Sequence, residues 1–157
     1  MMGQTHQQKI IHIAADHAGF DHKEAIKLWL VEQGFSVIDH GAKQKDDEDD
    51  FPDYIGGAAA AVAKAPEQSI GIVFGGSGQG EAMVANRFKG VRATVYYGGD
   101  SKIITLSREH NDANVLSIGA RFVDTSLAKK VIAAWLNASF SGEEKRIRRN
   151  RKLEHLT

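Results

Sequence analysis

The sequence predicts an α/β protein, a doubly wound sandwich in which five parallel strands carry helices on both faces. Three observations predict it. Short runs rich in β-branched residues alternate with segments of helical character along the whole chain. Parallel neighbours need crossover connections, and the helical segments supply them. A loop with glycine at 75, 76, 78 and 80 then separates the third run from a helix, at the strand end where this class binds ligands.

The elements follow in order. KIIHIAA (9–15) is a buried first strand. In the next segment Asp21 is the expected N-cap, with Glu24 completing a capping box, Ala25, Leu28, Trp29 and Glu32 on one side, and Gly34 closing the helix. FSVID (35–39) is the second strand. Pro52 suits the first turn of a second helix, whose small residues GGAAAAVAKA imply close packing on the layer beneath. SIGIVF is the third strand, and a helix is expected near 80–88. VRATVYY and ANVLSIGA are strands four and five, followed by helices in SKIITLSREHN and SLAKKVIAAWLNASF. The basic tail lacks proline and glycine after Gly142 and extends as a further helix.

Residues 1–157 form one domain, long enough for a proper core, with no linker or repeat. Residues 1–8 are expected to be disordered, and MMGQTHQQK has no apolar stretch of the kind a secretory signal needs. No window approaches the ~20 apolar residues of a membrane span. Cysteine is absent, which removes disulfides, thiolate metal sites and a cysteine nucleophile together. A cytoplasmic protein is expected. The 20 basic and 20 acidic residues balance, but DDEDD (46–50) and KRIRRNRK (145–152) are local runs of one sign. The acidic run reads as a solvated loop. No aromatics interleave the basic run, which weakens a single-strand nucleic-acid reading.

Three loops fall at strand ends on one edge of the predicted sheet: Asp16-His17, the glycine loop, and Gly119-Ala120-Arg121. Backbone N–H groups of GGSGQGE can converge on a negative oxygen, although the loop lacks the lysine of a nucleotide-binding P-loop. Glu81 at its end either complements the helix dipole or abstracts a proton from carbon beside a carbonyl while those donors hold the enediolate. Asp16-His17 has a turn-forming alternative, and His110, Asn111 and Asp112 have a loop hydrogen-bonding one. Arg121 suits bidentate pairing with phosphate. No H-E-x-x-H or similar metal spacing occurs. His6, His12, His22, His40 and His155 are read as incidental, and Trp29 and Trp135 as core.

DHAG (16–19), FPDY (51–54), GGSGQGEAMVANR (75–87), REHNDANVLSIGAR (108–121) and the basic tail occur in one order. Together they resemble the ribose-5-phosphate isomerase B family, which also includes galactose-6-phosphate isomerase subunits, over residues 9–153. The resemblance implies a Rossmann-like fold, an aldose–ketose isomerase without metal or cofactor, and a phosphorylated sugar as substrate. It implies homodimers or dimers of dimers with shared active sites, and neither nucleic acid nor membrane as a partner. Many members place a cysteine where Gly75 stands; those with glycine there carry a glutamate where Glu81 stands, so this chain resembles the glutamate branch.

By the same resemblance Glu81 is the base moving a proton between C1 and C2, and His110 the acid that opens the ring. Asp16 lies near the ring oxygens and Asn111 near the sugar hydroxyls or the enediolate, while Gly76, Ser77, Gly78, Gln79 and Gly80 line the enediolate. His17, Arg121, Lys145 and Arg149 hold the phosphate, the last two reaching in from a partner through the tail (141–157), with Arg146 and Arg148 as alternatives in register. Phe51 replaces the frequent tyrosine and Lys145 the usual arginine, which bears on substrate choice. The implied reaction interconverts ribose 5-phosphate and ribulose 5-phosphate. Isomerisation of a four- or six-carbon sugar phosphate, for example as a galactose-6-phosphate isomerase subunit, and a non-catalytic anion- or nucleic-acid-binding module remain as alternatives.

Overall fold

The computed structural model describes residues 9–156; the expectation for residues 1–8, and His6 within them, falls outside these. Strands β1 (Ile10–Ala15), β2 (Ser36–Asp39), β3 (Ser69–Gly75), β4 (Ala93–Tyr96) and β5 (Val115–Gly119) form one parallel sheet in the order β2-β1-β3-β5-β4. Helices α1 (Phe20–Glu32), α2 (Phe51–Lys64), α3 (Gln79–Ala85), α4 (Lys102–Asn111), α5 (Thr125–Asn137) and α6 (Glu144–Glu154) complete the fold. Every predicted strand and helix is present, and the doubly wound Rossmann-like architecture holds. Among the described residues no helix is long and apolar enough to cross a membrane.

The strand order explains where a ligand can bind. From β1 the chain steps outward to β2, then crosses back to β3 on the other side of β1. That reversal opens a crevice at the carboxyl ends of β1 and β3. Because β5 lies next to β3, the loops after β1, β3 and β5 all meet there.

Alternation along the strands divides the core in two. Ile11, Ile13, Ile72, Phe74, Leu116 and Ile118 pack with Ile26 and Leu30 of α1, Ile104 of α4 and Trp135 of α5. On the opposite face Ala14, Val73 and Val115 meet Ile55, Ala58, Ala59 and Val62 of α2 and Ala85 of α3. The small residues of α2 thus bring that layer close, as their pattern predicts. Gly75, Ser117 and Gly119 share the parity of Val73 and Val115, so this face carries little side-chain bulk at the end near α3.

The start of α1 differs from expectation. Asp16, not Asp21, supplies the cap: its Oδ1 accepts from the N–H groups of Ala18 (3.0 Å) and Gly19 (3.2 Å), opening a 3₁₀ turn that runs into α1. Asp21 is exposed and pairs with Lys45. The buried positions are Lys23, Ile26 and Leu30, while Leu28 stands in solvent. A lysine does not enter an apolar stripe read from sequence, yet Lys23 is fully buried beside the Phe20 ring. Its Nζ lies 2.7 Å from Asp39 Oδ2 and 2.8 Å from Glu24 Oε1, and Lys27 binds the same two carboxylates.

Three histidines read as incidental are structural. His12 Nδ1 is 2.8 Å from His40 Nε2, and His12 Nε2 is 3.3 Å from Ser69 Oγ. His22 Nε2 donates to the carbonyl of Val123 at 2.6 Å. At the outer edge of the sheet, the Asn86 side chain accepts from the N–H of Ala93 (2.8 Å) and donates to its carbonyl (3.2 Å), as a neighbouring strand would.

Candidate active site

A cleft of about 450 Å³ opens where the three loops converge, lined by Asp16, His17, Ala18, Phe51, Gly76, Ser77, Gly80, Glu81, Arg121 and Phe122. The glycine loop is held from the β5 side. Ala120 N–H donates to Gly75 O (2.8 Å), Arg121 N–H to Gly76 O (3.1 Å), and the buried Ser117 hydroxyl to Gly78 O (2.7 Å). Gly78 adopts φ +78°, a left-handed turn that favours glycine and sends the chain into α3. Gly78 is itself buried beneath the loop, and the Gln79 side chain is exposed, so neither forms the cleft wall expected of it.

Glu81 is only 4% exposed, and its carboxylate lies against Gly75, in the space a Cβ there would occupy. The pKa of Glu81 is raised, first by burial and also by the nearby charge of Asp16, against a hydrogen bond from its own backbone N–H that lowers it. The result is a carboxylate more basic than an exposed one, in a cleft rimmed by backbone amides. Gly76 and Gly80 allow close approach. A Cβ on Gly76 would meet the Arg121 guanidinium at 3.2 Å, and one on Gly80 would meet the Phe51 ring at 2.8 Å.

Across the cleft stands His17. Its Nδ1 is 2.6 Å from Asp49 Oδ1 and 3.9 Å from Asp16 Oδ2, and its backbone N–H also donates to Asp49 Oδ1 at 3.1 Å. The His17 pKa is raised, chiefly by the hydrogen bond to Asp49. The acidic run is therefore not uniformly solvated, since the Asp49 side chain is only 4% exposed. Asp16, His17 and Asp49 also bring three groups of metal-ligand type within 4.8 Å. Here a protonated Nδ1 already occupies the Asp49 oxygen, and a proton on that nitrogen competes with any metal.

Sequence reasoning missed Asp49 and Phe122. Five consecutive acidic residues give no sign of which one turns inward. The one cue is that Asp49 stands two residues before α2, whose first residue, Phe51, reaches the cleft.

His110, Asn111, Lys145 and Arg149 are not among the residues lining the cleft. Topology accounts for this. Helix α4 begins after the carboxyl end of β4 and ends before the amino end of β5, so His110 and Asn111 lie toward the amino ends of the strands, opposite the cleft. Asn111 lines a separate cavity of about 360 Å³ with Gly90, Val91, Arg92 and Leu153. Helix α6 is fastened at that same end. Glu154 accepts from Arg92 (2.7 Å) and from the N–H of Gly90 (3.1 Å), and Asn150 donates to the carbonyl of His110 (3.4 Å).

The sequence profile of the Ribose/Galactose Isomerase family matches residues 11–153. The chain belongs to that family. Family members are similar along almost the whole chain. A ribose-5-phosphate isomerase B from Escherichia coli is 42% identical over 134 residues, covering 85% of this chain and 87% of its own. The crystal structure of a ribose-5-phosphate isomerase B from Mycoplasma genitalium, with bound ribulose-5-phosphate, superposes with a TM-score of 0.89 at 36% identity and covers 94% of this chain and 95% of its own. The enzyme from Clostridium thermocellum gives a TM-score of 0.87 at 37% identity, covering 94% and 96%. The resemblance read from the motifs is thus a family membership, and the chain is an isomerase.

Proposed function

We propose that the chain interconverts ribose 5-phosphate and ribulose 5-phosphate through an enediolate, with Glu81 as the base. One observation carries the assignment of the base: a buried carboxylate of raised pKa lies beside a glycine loop, in the same cleft as the cations His17 and Arg121. The anionic phosphate is held at the cations. Its sugar then places C1 and C2 toward Glu81, which takes a proton from one carbon and returns it to the other. The loop amides stabilise the oxygen on which negative charge accumulates. Phe51 packs on Gly80 and offers an aromatic face without a hydroxyl, so it shapes the cleft without hydrogen bonding to the sugar.

The remaining groups come from a second copy of the chain. His110 and Asn111 are at the far end of α4, and Asn150 ties α6 to that same end. These observations support a homodimer in which one subunit delivers His110, Asn111, Lys145 and Arg149 as a unit to the partner's cleft. His110 then serves as the acid for ring opening, and the basic residues of α6 add to His17 and Arg121 around the phosphate.

The test is turnover of ribose 5-phosphate in deuterium oxide, followed by proton NMR. Wild-type protein is expected to form ribulose 5-phosphate and to incorporate deuterium at the carbons that exchange protons. Glu81→Gln is expected to lose both by at least the 10²–10⁴-fold typical of a general base. Near wild-type exchange in that variant would remove Glu81 from the mechanism.

A further inference from the structure

The geometry points to Asp49 as a positioning residue that holds His17 charged and correctly turned toward the substrate's phosphate. The inference deepens the proposed function and rests on its placement of the phosphate at His17. Asp49 lies in the run DDEDD, but its side chain is buried and not solvated like its neighbours. One oxygen, Oδ1, accepts twice from the same residue: from the His17 backbone at 3.1 Å and from ring Nδ1 at 2.6 Å. The backbone bond fixes where His17 leaves β1, and the ring bond fixes the orientation of the imidazole.

The consequence for the ring is chemical. With Nδ1–H committed to Asp49, Nε2 is the nitrogen left for a ligand. It donates to a phosphate oxygen only when it also bears a proton, so the useful form is the imidazolium. An isolated histidine is largely neutral at about pH 8. The hydrogen bond to Asp49 raises the His17 pKa, with smaller contributions from Asp16 and Asp47, against the opposing effect of burial. Arg121 and Glu81 face the same cleft with opposite charges. Asp49 Oδ2 is buried and has no hydrogen-bond partner among the described residues. A carboxylate shielded from water in this way holds the ring proton of His17 more strongly.

The experiment replaces Asp49 by asparagine, which keeps the shape and can still accept both bonds. In full-length wild-type protein and in Asp49→Asn, the His17 ring nitrogens are followed by NMR across a pH titration and assigned by their loss in His17→Asn. The titration is repeated with inorganic phosphate. KM and kcat for ribose 5-phosphate are measured over the same range. The inference expects the His17 midpoint to fall in Asp49→Asn. It also expects the KM ratio of variant to wild type to rise to about tenfold above pH 7 and to approach unity below about pH 6, with kcat little changed.

Taking the ratio cancels the titration of the substrate phosphate and of Glu81, which both proteins share. In the His17→Asn background, adding Asp49→Asn is expected to change KM no further. An unchanged His17 midpoint overturns the inference. So does a KM penalty that is the same at every pH, or one that persists without His17, because each marks Asp49 as scaffolding alone. Absence of isomerase activity in wild-type protein would sink the proposed function but leave the two NMR titrations as the test of the pair.

Discussion

The carboxylate of Glu81 occupies the volume that a side chain on Gly75 would fill. The two positions are therefore coupled: a glutamate folded into this cleft requires glycine at the end of β3. This gives a physical reason why, by the resemblance, family members carry either a side chain at the first position of the loop or a glutamate after it.

Gly75→Ala is accordingly expected to act through Glu81. The added methyl displaces the carboxylate, and kcat should fall by about 10²–10⁴-fold, the contribution of a positioned base, with a smaller change in KM. Steady-state kinetics with a circular dichroism check of folding decides it; a variant with normal kcat would show that the carboxylate finds an equivalent position.

Glu81→Gln should be more stable than wild type at neutral pH while being inactive. A carboxyl whose folded pKa is raised favours the native state while protonated and loses that contribution as pH rises through the folded value. Glutamine is neutral throughout. The gain in Tm is therefore expected to be near zero below about pH 4 and to grow as pH rises. A melting series of both proteins across that range measures it.

Acid should weaken the fold through His12 and His40. Both pKa values are lowered, chiefly by burial, with His40 also repelling a charge on His12 and Asp39 partly offsetting the effect at His40. Below about pH 6.5 the unfolded chain takes up protons that the native pair resists, so stability falls as pH drops. In His12→Gln/His40→Gln the slope of Tm against pH through this window should be flatter than in wild type.

Asp39→Ala should destabilise strongly. It strips one of two carboxylates from the fully buried Lys23, and removing one partner of a buried pair costs about 3 kcal/mol or more. Chemical denaturation gives the value; a loss below about 1 kcal/mol would mean that Glu24 suffices alone.

The proposed sharing of sites between subunits makes a further prediction. Glu81→Gln and His110→Asn should each be inactive alone. When subunits are mixed and reassociated, half the dimers are hybrids, and each hybrid regains one intact site, or about a quarter of wild-type activity. No recovery would place Glu81 and His110 in the same subunit's site.

Much of this was legible from residue order, but unevenly. The five strands were readable because β-branched runs alternate with helical segments, and the glycine loop announced a close approach of backbone to ligand. Glu81 was readable because its position relative to that loop is local. Asp49 was not, because its burial is created by the folding of a distant turn over His17. Lys23 was missed because a charged residue interrupts an apolar stripe on paper, although its stem packs and its ammonium is paired. The placement of His110 was hidden for another reason: a motif records the residue but not which end of the strands a ten-residue helix returns to.

The amide of Asn86 sits on Ala93 like the rung of a missing ladder. The short border strand β4 therefore begins with its outward-facing main-chain groups already occupied, and a foreign chain trying to zip onto it meets a plug at the first step. The sheet therefore closes itself off at β4 instead of inviting a further strand.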